Sequence, residues 1–330
     1  MKYYLAPLAG FTDAPFRLLC REGGADLTYT EMVSAAGLAH GSSPTRQLME
    51  TLPGEGPVAC QLFGADESDL AYATRVVTEC RGETGAPRFV EINLNAGCPM
   101  TKVTKCGAGA ELVKSPAKTY RLLKAMTENT DLPVTLKTRL GPRPGVQTVF
   151  ELLDAAEQAG AKGMVVHARY TSQMHGGEVH LDTLAEVVAR ARIPVVGNGS
   201  VTDVATAAAM AKTGVDAIMV GRAALTRPGI FAALKAGSVP TVRIEDCARH
   251  LAWLLAFRRQ LAERFPNDHV PGEDAYASVK MHTHLFRYFG GRPGAAALRA
   301  RLNTVRTLAE IRELLAAAGV SAADEKGRGR

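Results

Sequence analysis

The sequence predicts an α/β fold, a (β/α)8 TIM barrel, followed by a small all-helical C-terminal domain. Eight short apolar or β-branched segments recur before residue 221, and most are followed by a segment with helical periodicity. This alternation indicates a parallel sheet covered by helices, and eight repeats indicate a closed barrel. The pattern then changes to helices alone, which 330 residues accommodate because a barrel takes about 250.

Each predicted strand is a run of four to six residues. The runs are residues 3–7, 26–30, 58–63, 89–94, 133–138, 163–167, 194–197 and 217–220. Helical periodicity is clearest in residues 120–127, 149–159, 183–192 and 204–212. A doubly wound open sheet is the alternative architecture. It would place a GxGxxG fingerprint after the first strand, and Ala6-Pro7-Leu8-Ala9-Gly10 does not match it.

The change of pattern around residues 230–245 predicts the domain division. We expect residues 1–240 to form the barrel, residues 241–320 a helical domain, and residues 321–330 a disordered polar tail. Amphipathic periodicity in the second region predicts three or four helices, roughly over residues 247–264, 275–289, 294–303 and 307–317.

Composition argues against a membrane or secreted protein. The hydrophobic fraction of 46% is ordinary, and no run of about 18 apolar residues is present. Met1-Lys2 is followed at once by a strand-like segment, which leaves no room for a signal peptide. We expect a soluble, cytoplasmic monomer with no membrane partner.

The cysteine pattern indicates neither a disulfide framework nor a metal site. Six cysteines are scattered along the chain, at Cys20, Cys60, Cys80, Cys98, Cys106 and Cys247. They form no CxxC pair, and the histidines are not clustered in the sequence. We expect most of the six to be reduced and buried, as free cysteines usually are. Cys98 is the predicted exception.

Positive charge is concentrated in the helical region. Residues 241–330 carry 15 Lys and Arg against 10 Asp and Glu, whereas residues 1–240 carry 24 against 23. A basic helical region beside a nearly neutral barrel is compatible with a polyanion such as RNA. A solvated, arginine-rich helix surface is the alternative interpretation.

The segment from Val90 to Met100 presents a cysteine in a constrained turn. A short apolar strand leads directly into Asn95-Ala96-Gly97-Cys98-Pro99. Gly97 permits an unusual backbone turn and Pro99 restricts the next φ angle, so the Cys98 side chain is held in place. A core cysteine would not need this arrangement, and we therefore predict a chemical role for Cys98.

Polar residues stand at the carboxyl ends of several predicted strands, where barrels of this class carry their active sites. They include Gln61, Asn95, Lys137-Thr138-Arg139, His167-Ala168-Arg169, Gly197-Asn198-Gly199-Ser200 and Gly221-Arg222. The loops after the last two strands commonly bind a phosphate, and their glycines allow close backbone approach. Tight turns alone would also explain the glycines. The phosphate could belong to a sugar-phosphate substrate or to a nucleotide cofactor.

Lys137 and His167 end apolar strands, where a buried ammonium or imidazole needs a partner. A flavin would provide one, because its pyrimidine edge becomes anionic on reduction and a nearby cation tunes that potential. For His167 alone, a satisfied core histidine is the alternative. Gln61 could simply be a hydrogen-bonded loop residue. Because it stands beside Lys137 and Asn95, we prefer the interpretation that its amide contacts the edge of a flavin or a base.

Several motifs, in order along nearly the whole chain, resemble the signature of the tRNA-dihydrouridine synthases. The central motif is Asn95-Ala96-Gly97-Cys98-Pro99, followed by Lys102-Val103 and Gly107-Ala108-Gly109-Ala110. The others are Ala6-Pro7-Leu8-Ala9-Gly10-Phe11-Thr12-Asp13, Gln61-Leu62-Phe63-Gly64, Lys137-Thr138-Arg139, His167-Ala168-Arg169, Gly197-Asn198-Gly199, Gly221-Arg222 and Phe289-Gly290-Gly291-Arg292-Pro293-Gly294-Ala295-Ala296.

The resemblance implies an FMN-dependent enzyme that reduces uridine in tRNA to 5,6-dihydrouridine. NADPH would reduce FMN, the flavin would deliver a hydride to C6 of the uracil, and Cys98 would donate a proton to C5 as a general acid. A thiol suits this role because its ordinary pKa of about 8.5 keeps it mostly protonated at neutral pH. Residues 1–240 would bind FMN, residues 241–320 would bind tRNA, and no metal is implied.

The resemblance also implies a set of binding residues. Those for FMN are Ala6, Pro7, Leu8, Gln61, Lys137, His167, Asn198, Gly199, Gly221 and Arg222. Those for substrate are Asn95, Arg139, Arg169 and His175 around the uracil, and Lys280, Arg287 and Arg292 along the tRNA backbone, with Arg299 and Arg301 nearby. The target base would have to leave the folded RNA to enter a barrel mouth.

The sequence departs from the family pattern at His175, where the family often has a tyrosine. An imidazole can still stack on a base or hydrogen-bond to it, so the departure concerns the position of the substrate more than the reaction. Two other functions remain open. One is a flavoprotein of the same fold that reduces a small pyrimidine, an enone or another RNA, and the other is an inactive RNA-binding relative.

Overall fold

The computed structural model, which describes residues 1–82, 84–290 and 294–320, contains a closed barrel of eight strands. Neighbouring strands are parallel, and β8 pairs with β1 to close the barrel, so the predicted barrel is confirmed. The strands are β1 (Lys2–Leu5), β2 (Leu27–Ser34), β3 (Val58–Phe63), β4 (Glu91–Ala96), β5 (Val134–Arg139), β6 (Met164–His167), β7 (Val195–Asn198) and β8 (Ala217–Val220).

Helices surround the barrel and form the C-terminal region. They are α1 (Ala14–Glu22), α2 (Ala35–Ala39), α3 (Ser43–Gln47), α4 (Glu67–Glu79), α5 (Thr101–Thr104), α6 (Pro116–Thr127), α7 (Val149–Gln158), α8 (Leu181–Arg190), α9 (Val204–Ala211), α10 (Arg222–Thr226), α11 (Ile230–Lys235), α12 (Glu245–Arg264), α13 (Glu273–Tyr288), α14 (Ala295–Leu302) and α15 (Leu308–Ala317). The segments Gly109–Lys114 and Thr171–Gln173 are 3-10 helices.

The predicted boundaries are close except at two elements. The helix α6 begins at Pro116 where the sequence predicted residue 120, and β2 continues to Ser34 where the sequence predicted an end at residue 30. The pairing register between β2 and β3 shifts between Tyr29 and Met32, and pairing then resumes. A bulge of this kind lets a strand continue through a local break in its alternation of side chains. The polar Glu31 at this point therefore concealed the second half of β2 in the sequence.

Two apolar layers hold the barrel together. The outer layer lies between the strands and the helices, and it contains residues such as Leu94, Leu136 and Val166. The inner layer lies inside the barrel and comprises Ala6, Leu27, Tyr29, Ala59, Val165, Val196, Ala217 and Met219, with Tyr4 packed against them. Successive strand residues point to opposite faces, which explains why one strand contributes to both layers.

The C-terminal helices share the outer apolar layer with the barrel. Phe16 and Leu19 of α1 belong to the same buried cluster as Leu251 of α12 and Leu285 of α13. We call this interface the barrel–tail seam; it comprises α1 with its N-cap Asp13 and residues 48–56 on one side, and α12 and α13 on the other. The division between residues 240 and 241 stays a prediction, as does the disorder of residues 321–330, which lie outside the described residues.

Within the described part of the chain, every helix is too short or too polar to cross a lipid bilayer.

Candidate active site

Cys98 lies in a turn that is held from two sides at the mouth of the barrel, by which we mean the carboxyl ends of the strands and the loops that follow them. The side-chain oxygen of Asn95 accepts hydrogen bonds from the backbone N–H groups of Gly97 at 3.1 Å and Cys98 at 3.0 Å. On the other side, the N–H of Ala110 donates to the Cys98 carbonyl at 2.9 Å. The turn that the sequence predicted is therefore stabilised by Asn95.

Close packing around this turn also requires a glycine at position 109. Gly109 has a φ angle of +59°, and a Cβ atom there would lie 2.7 Å from the Cys98 carbonyl oxygen. A side chain at this position would displace the turn from its support. The backbone that leads into the 3-10 helix Gly109–Lys114 therefore fixes Cys98 from behind.

A column of hydrogen-bonded polar side chains runs through the barrel interior and ends at Asn95. Asn95 Nδ2 donates to Gln61 Oε1 (2.9 Å), and Gln61 Nε2 donates to Asn93 Oδ1 (2.7 Å). Asn93 Nδ2 in turn donates to Thr135 Oγ1 (2.7 Å). At the other end of the column, Glu91 Oε1 accepts from Thr135 Oγ1 (2.6 Å) and from Tyr29 Oη (2.9 Å). Each amide both donates and accepts, so its orientation is set by its neighbours. The column orients Asn95 and, through it, the Cys98 turn.

The column gives Gln61 a position that the sequence did not indicate. Gln61 is fully buried beneath Asn95, and its side-chain nitrogen and oxygen bind Asn93 and Asn95. Sequence reasoning also missed Asn93 and Glu91. Their spacing from Asn95 on one strand was the available signal, because alternate residues of a strand share a face. The predicted contact of Gln61 with flavin stays a prediction.

The Cys98 thiol is half-buried and stays protonated at neutral pH. Burial raises the pKa of this thiol above its ordinary value, while Arg139 and Lys137 act in the opposite direction. The net effect is upward, so the thiol form predominates at physiological pH. A protonated thiol at the edge of the mouth can donate a proton, whereas a nucleophile would require the thiolate.

Lys137 and Arg139 approach the mouth from β5. Burial, with a smaller effect of Arg139, lowers the pKa of Lys137 to about 7, and Lys137 Nζ donates to Asn198 Oδ1 at 3.1 Å. Arg139 donates to the carbonyl oxygens of Gly97 at 2.8 Å and Tyr170 at 3.2 Å. Both basic side chains therefore bind neutral oxygens next to the Cys98 turn.

Arg169 and Arg222 hold the loop after β6 in the same way. Arg169 donates to the carbonyl of Gly177 at 2.8 Å and to Ser200 Oγ at 2.7 Å, and Arg222 donates to the carbonyl of His175 at 3.0 Å. In the described ranges, neither arginine forms an ion pair with a carboxylate, and the same holds for Lys137 and Arg139. The mouth thus carries positive charge that its own side chains do not neutralise.

His167 is a neutral imidazole within this group of cations. Burial lowers its pKa well below the ordinary value, and the cations Lys137, Arg139 and Arg169 lower it further. Its Nε2 atom lies 3.3 Å from Arg169 Nη1, which fits an unprotonated nitrogen that accepts a hydrogen bond. His167 can therefore donate through only one ring nitrogen at neutral pH.

Two glycines pack closely against His167 and the loop after β1. Gly199 has a φ angle of +135°, and a Cβ atom there would lie 3.3 Å from His167. A Cβ atom on Gly221 would lie 3.7 Å from that of Ala6 and 4.0 Å from Leu8. The segment Ala6-Pro7-Leu8 follows β1 directly, so the structure brings these predicted residues to one rim of the mouth.

The predicted tRNA residues of the helical region have different surroundings. Arg287 is exposed, and its guanidinium lies 5.9 Å from the ring centre of Phe11 in the loop after β1, which places it beside the mouth. Lys280 Nζ lies 3.7 Å from Asp13 Oδ2 in the barrel–tail seam. Arg292 lies outside the described residues. The tRNA contact of Lys280 stays a prediction, and the ion pair gives this residue a structural partner.

The expectation that most cysteines are buried holds for only three of them. Cys20, Cys60 and Cys247 are buried, whereas Cys80 and Cys98 are partly exposed and Cys106 is exposed. Cys106 follows the short helix α5 in the loop after β4, where the chain returns to the surface. The six are free thiols, as the sequence predicted.

The chain was compared with known proteins. A family model described as "Dihydrouridine synthase (Dus)" matches residues 4–323. The chain is 32% identical over 337 residues to tRNA-dihydrouridine synthase B of Pseudomonas putida (strain KT2440), with 98% of this chain and 94% of that protein covered. It is 37% identical over 227 residues to tRNA-dihydrouridine synthase B of Escherichia coli (strain K12), with 68% of each covered.

A solved structure with a similar fold is morphinone reductase in complex with tetrahydroNAD. The TM-score is 0.51 at 11% sequence identity, and the match covers 73% of this chain and 88% of that chain. Identity at this level supports the barrel architecture alone.

Proposed function

We propose a function from one premise, namely that the chain belongs to the dihydrouridine synthase family. The proposed reaction is the reduction of uridine in tRNA to 5,6-dihydrouridine, with FMN as the bound cofactor and NADPH as the reductant. One observation carries the proposal. A protonated Cys98 lies at a mouth whose basic side chains, Lys137, Arg139, Arg169 and Arg222, bind only neutral groups among the described residues and so remain available to an anionic ligand.

The charge and the donor groups of the mouth suit FMN. Lys137 and His167 would face the flavin ring, with Asn198 orienting the lysine through the hydrogen bond at 3.1 Å. Arg222 would bind the phosphate, for which a guanidinium is well suited. Gly199 and Gly221, where a Cβ atom would occupy the rim, would admit the cofactor backbone, and Ala6, Pro7 and Leu8 would border it.

The bound flavin would supply the hydride that adds to C6 of the uracil. Cys98 then donates its proton to C5, so the hydride and the proton together form the two new C–H bonds of the saturated ring. Arg139 and Lys137 favour the resulting thiolate, which regains a proton from water because Cys98 is partly exposed. Asn95 keeps the thiol in place through the two backbone hydrogen bonds of the turn.

The uracil would be held by Arg139, Arg169 and His175, after the target base has left the RNA fold. Arg287 lies beside the mouth, and together with the partly buried Arg299 and the exposed Arg301 it would bind the phosphate backbone of tRNA. A tRNA substrate implies that the enzyme works in the cytoplasm.

The decisive experiment is to map dihydrouridine in tRNA, position by position, in strains with and without this gene, and to assay the purified protein with NADPH. We expect a yellow protein and the loss of at least one dihydrouridine in the deletion strain. Unchanged dihydrouridine at every position, with no redundant enzyme present, would exclude the proposal. Equal turnover of free uridine and tRNA would instead support a reductase for small pyrimidines.

Cys98→Ala tests the proton donor. Removal of a general acid lowers turnover by about 10²–10⁴-fold, whereas flavin colour and tRNA binding should persist. Turnover of the parent should also fall with rising pH, but only above the ordinary thiol range, because the pKa of Cys98 is raised. Full turnover in Cys98→Ala would assign the proton to another group.

A further inference from the structure

Asp13, His250 and His284 meet in the barrel–tail seam although they lie far apart in the sequence. Asp13 precedes α1, His250 lies on α12 and His284 lies on α13. One potential ligand atom from each lies within 4.8 Å of the other two, and all three residues are buried. The sequence showed no clustered histidines, because the grouping arises only when α12 and α13 pack against α1.

Several polar atoms of this cluster have no hydrogen-bond partner among the residues that the structure describes. They are Asp13 Oδ2, His250 Nε2, His284 Nδ1 and His284 Nε2, and each is inaccessible to solvent. Buried polar atoms without partners are rare because burial costs them their hydration. Their convergence at one point indicates that a bound species satisfies them together.

Asp13 and His250 each form a further hydrogen bond of the kind that metal ligands usually form. His250 Nδ1 lies 3.4 Å from the hydroxyl of Tyr288, and Asp13 Oδ1 accepts the N-cap hydrogen bond of Phe16 at 3.2 Å. Metal-bound histidines usually have the second ring nitrogen in a hydrogen bond, which orients the ring. The free Nε2 atom of His250 thus faces Asp13 Oδ1, 4.0 Å away, and this oxygen keeps a second lone pair for a ligand.

The surrounding charge also suits a cation. Lys280 Nζ lies 3.7 Å from Asp13 Oδ2 and contributes positive charge. Glu31, whose Oε1 atom is buried without a partner, lines the same small cavity of about 100 Å³ as Asp13 and Lys280. Two carboxylates against one ammonium leave a net negative charge on the Asp13 side of the cluster.

We propose that Asp13, His250 and His284 bind one divalent cation of the zinc class, with water as a fourth ligand. Two imidazoles and one carboxylate are a common ligand set for such ions. Bonds of about 2.1 Å in a tetrahedral site place ligand atoms about 3.4 Å apart, so binding draws the three side chains together by roughly 1 Å. The ion joins the barrel to both α12 and α13 and thereby fixes the orientation of the tail.

Equilibrium dialysis of the full-length, chelator-treated protein against micromolar zinc chloride, followed by elemental analysis, tests the site. We expect one zinc per chain in the parent and at least a tenfold weaker affinity in His284→Phe. Phenylalanine keeps an aromatic ring among Phe11, Phe16 and Tyr288, so the packing of α13 is retained. His282→Gln, two residues along the same helix and outside the cluster, is the matched control and should bind like the parent.

Cobalt provides a readout that needs no variant. Co²⁺ added to the stripped parent should produce the visible absorption bands of a four-coordinate ion, and zinc should displace them. Zinc should also raise the melting temperature of the parent and of His282→Gln, but not of His284→Phe. Equal zinc content in the parent and His284→Phe would place the zinc outside the cluster, and no zinc with no cobalt bands in the parent would show that the cluster binds no such ion; either result would overturn the proposal.

Discussion

Cations at the barrel–tail seam are paired with carboxylates, whereas those at the mouth of the barrel bind neutral oxygens. At the seam, Arg17 pairs with Glu55, and Arg264 lies 2.9 Å from Glu50. At the mouth, Lys137 donates instead to an amide oxygen. Both regions contain cations with little access to water, and only their partners differ.

The difference separates charges that stabilise the fold from charges that bind a ligand. A buried ion pair is neutral as a unit, so it requires nothing from outside the protein. A cation that binds only neutral dipoles leaves a positive field, which attracts anions and raises their local concentration. Substitutions at the seam should therefore change the stability of the fold, whereas substitutions at the mouth should change ligand binding and turnover.

The largest effect is expected at Arg17. This fully buried side chain also donates to the carbonyls of Thr12 at 2.8 Å and Glu50 at 2.9 Å. Arg17→Met leaves Glu55 buried without its partner, which costs about 3–5 kcal/mol of unfolding free energy. Urea denaturation measures this loss of unfolding free energy. Arg264→Gln, which removes a half-exposed cation from the same seam, should cost less than about 1 kcal/mol. Equal losses would break the distinction between buried and exposed pairs.

Lys137→Met should increase the free energy of unfolding of the flavin-free protein, whereas Arg17→Met lowers it. Burial lowers the pKa of Lys137 from 10.5 to about 7, so between these values the unfolded chain holds a proton that the folded chain has lost. Lys137 therefore makes the free energy of unfolding rise with pH across this interval. The variant should be more stable by on the order of 2 kcal/mol near neutral pH, and this advantage should shrink as the pH rises.

Urea denaturation of the parent and Lys137→Met at several pH values between about 7 and 10 measures this linkage. Lys162→Met, at an exposed position outside the mouth, is the control and should show no such trend. A variant that is less stable than the parent throughout would mean that Lys137 has an anionic partner in the folded chain.

Arg222→Gln should weaken flavin binding by about tenfold, as expected for one charge-assisted hydrogen bond at an exposed site. Stability should change little, because Arg222 is exposed and, within the described part of the chain, its side chain binds only the His175 carbonyl. Fluorescence titration of the flavin-free protein with FMN measures the change. Arg264→Gln at the seam is the comparison, and an equal loss of FMN affinity there would remove the special role of the mouth.

The smallest effects are expected at two arginines of the tail, the partly buried Arg299 and the exposed Arg301. Arg299→Gln and Arg301→Gln should each weaken tRNA binding by about 1 kcal/mol or less and reduce the salt dependence of binding by roughly one ion. Filter binding at several salt concentrations checks this. Arg190→Gln, on the outer surface of α8, should leave both quantities unchanged. If Arg299→Gln and Arg301→Gln bind tRNA as tightly as Arg190→Gln does, the tail arginines form only a solvated surface.

The mouth was predictable from the sequence because its positions follow from local patterns. Apolar runs mark the strands, and the ends of parallel strands meet at one edge of a barrel. Asn95, Lys137, Arg139, His167 and Asn198 were identified in this way, and the structure brings them together. Gly97 and Pro99 marked the Cys98 turn without any knowledge of its neighbours.

The seam and the protonation states were decided by tertiary structure alone. The pairing of Lys280 with Asp13, and the meeting of His250 with His284, depend on how α12 and α13 dock against α1. Docking results from many weak apolar contacts between distant segments, which leave no periodic signal in the sequence. The pKa values of Cys98, Lys137 and His167 likewise depend on burial and on charges close in space, so the residues were readable in the chain but their chemical state was not.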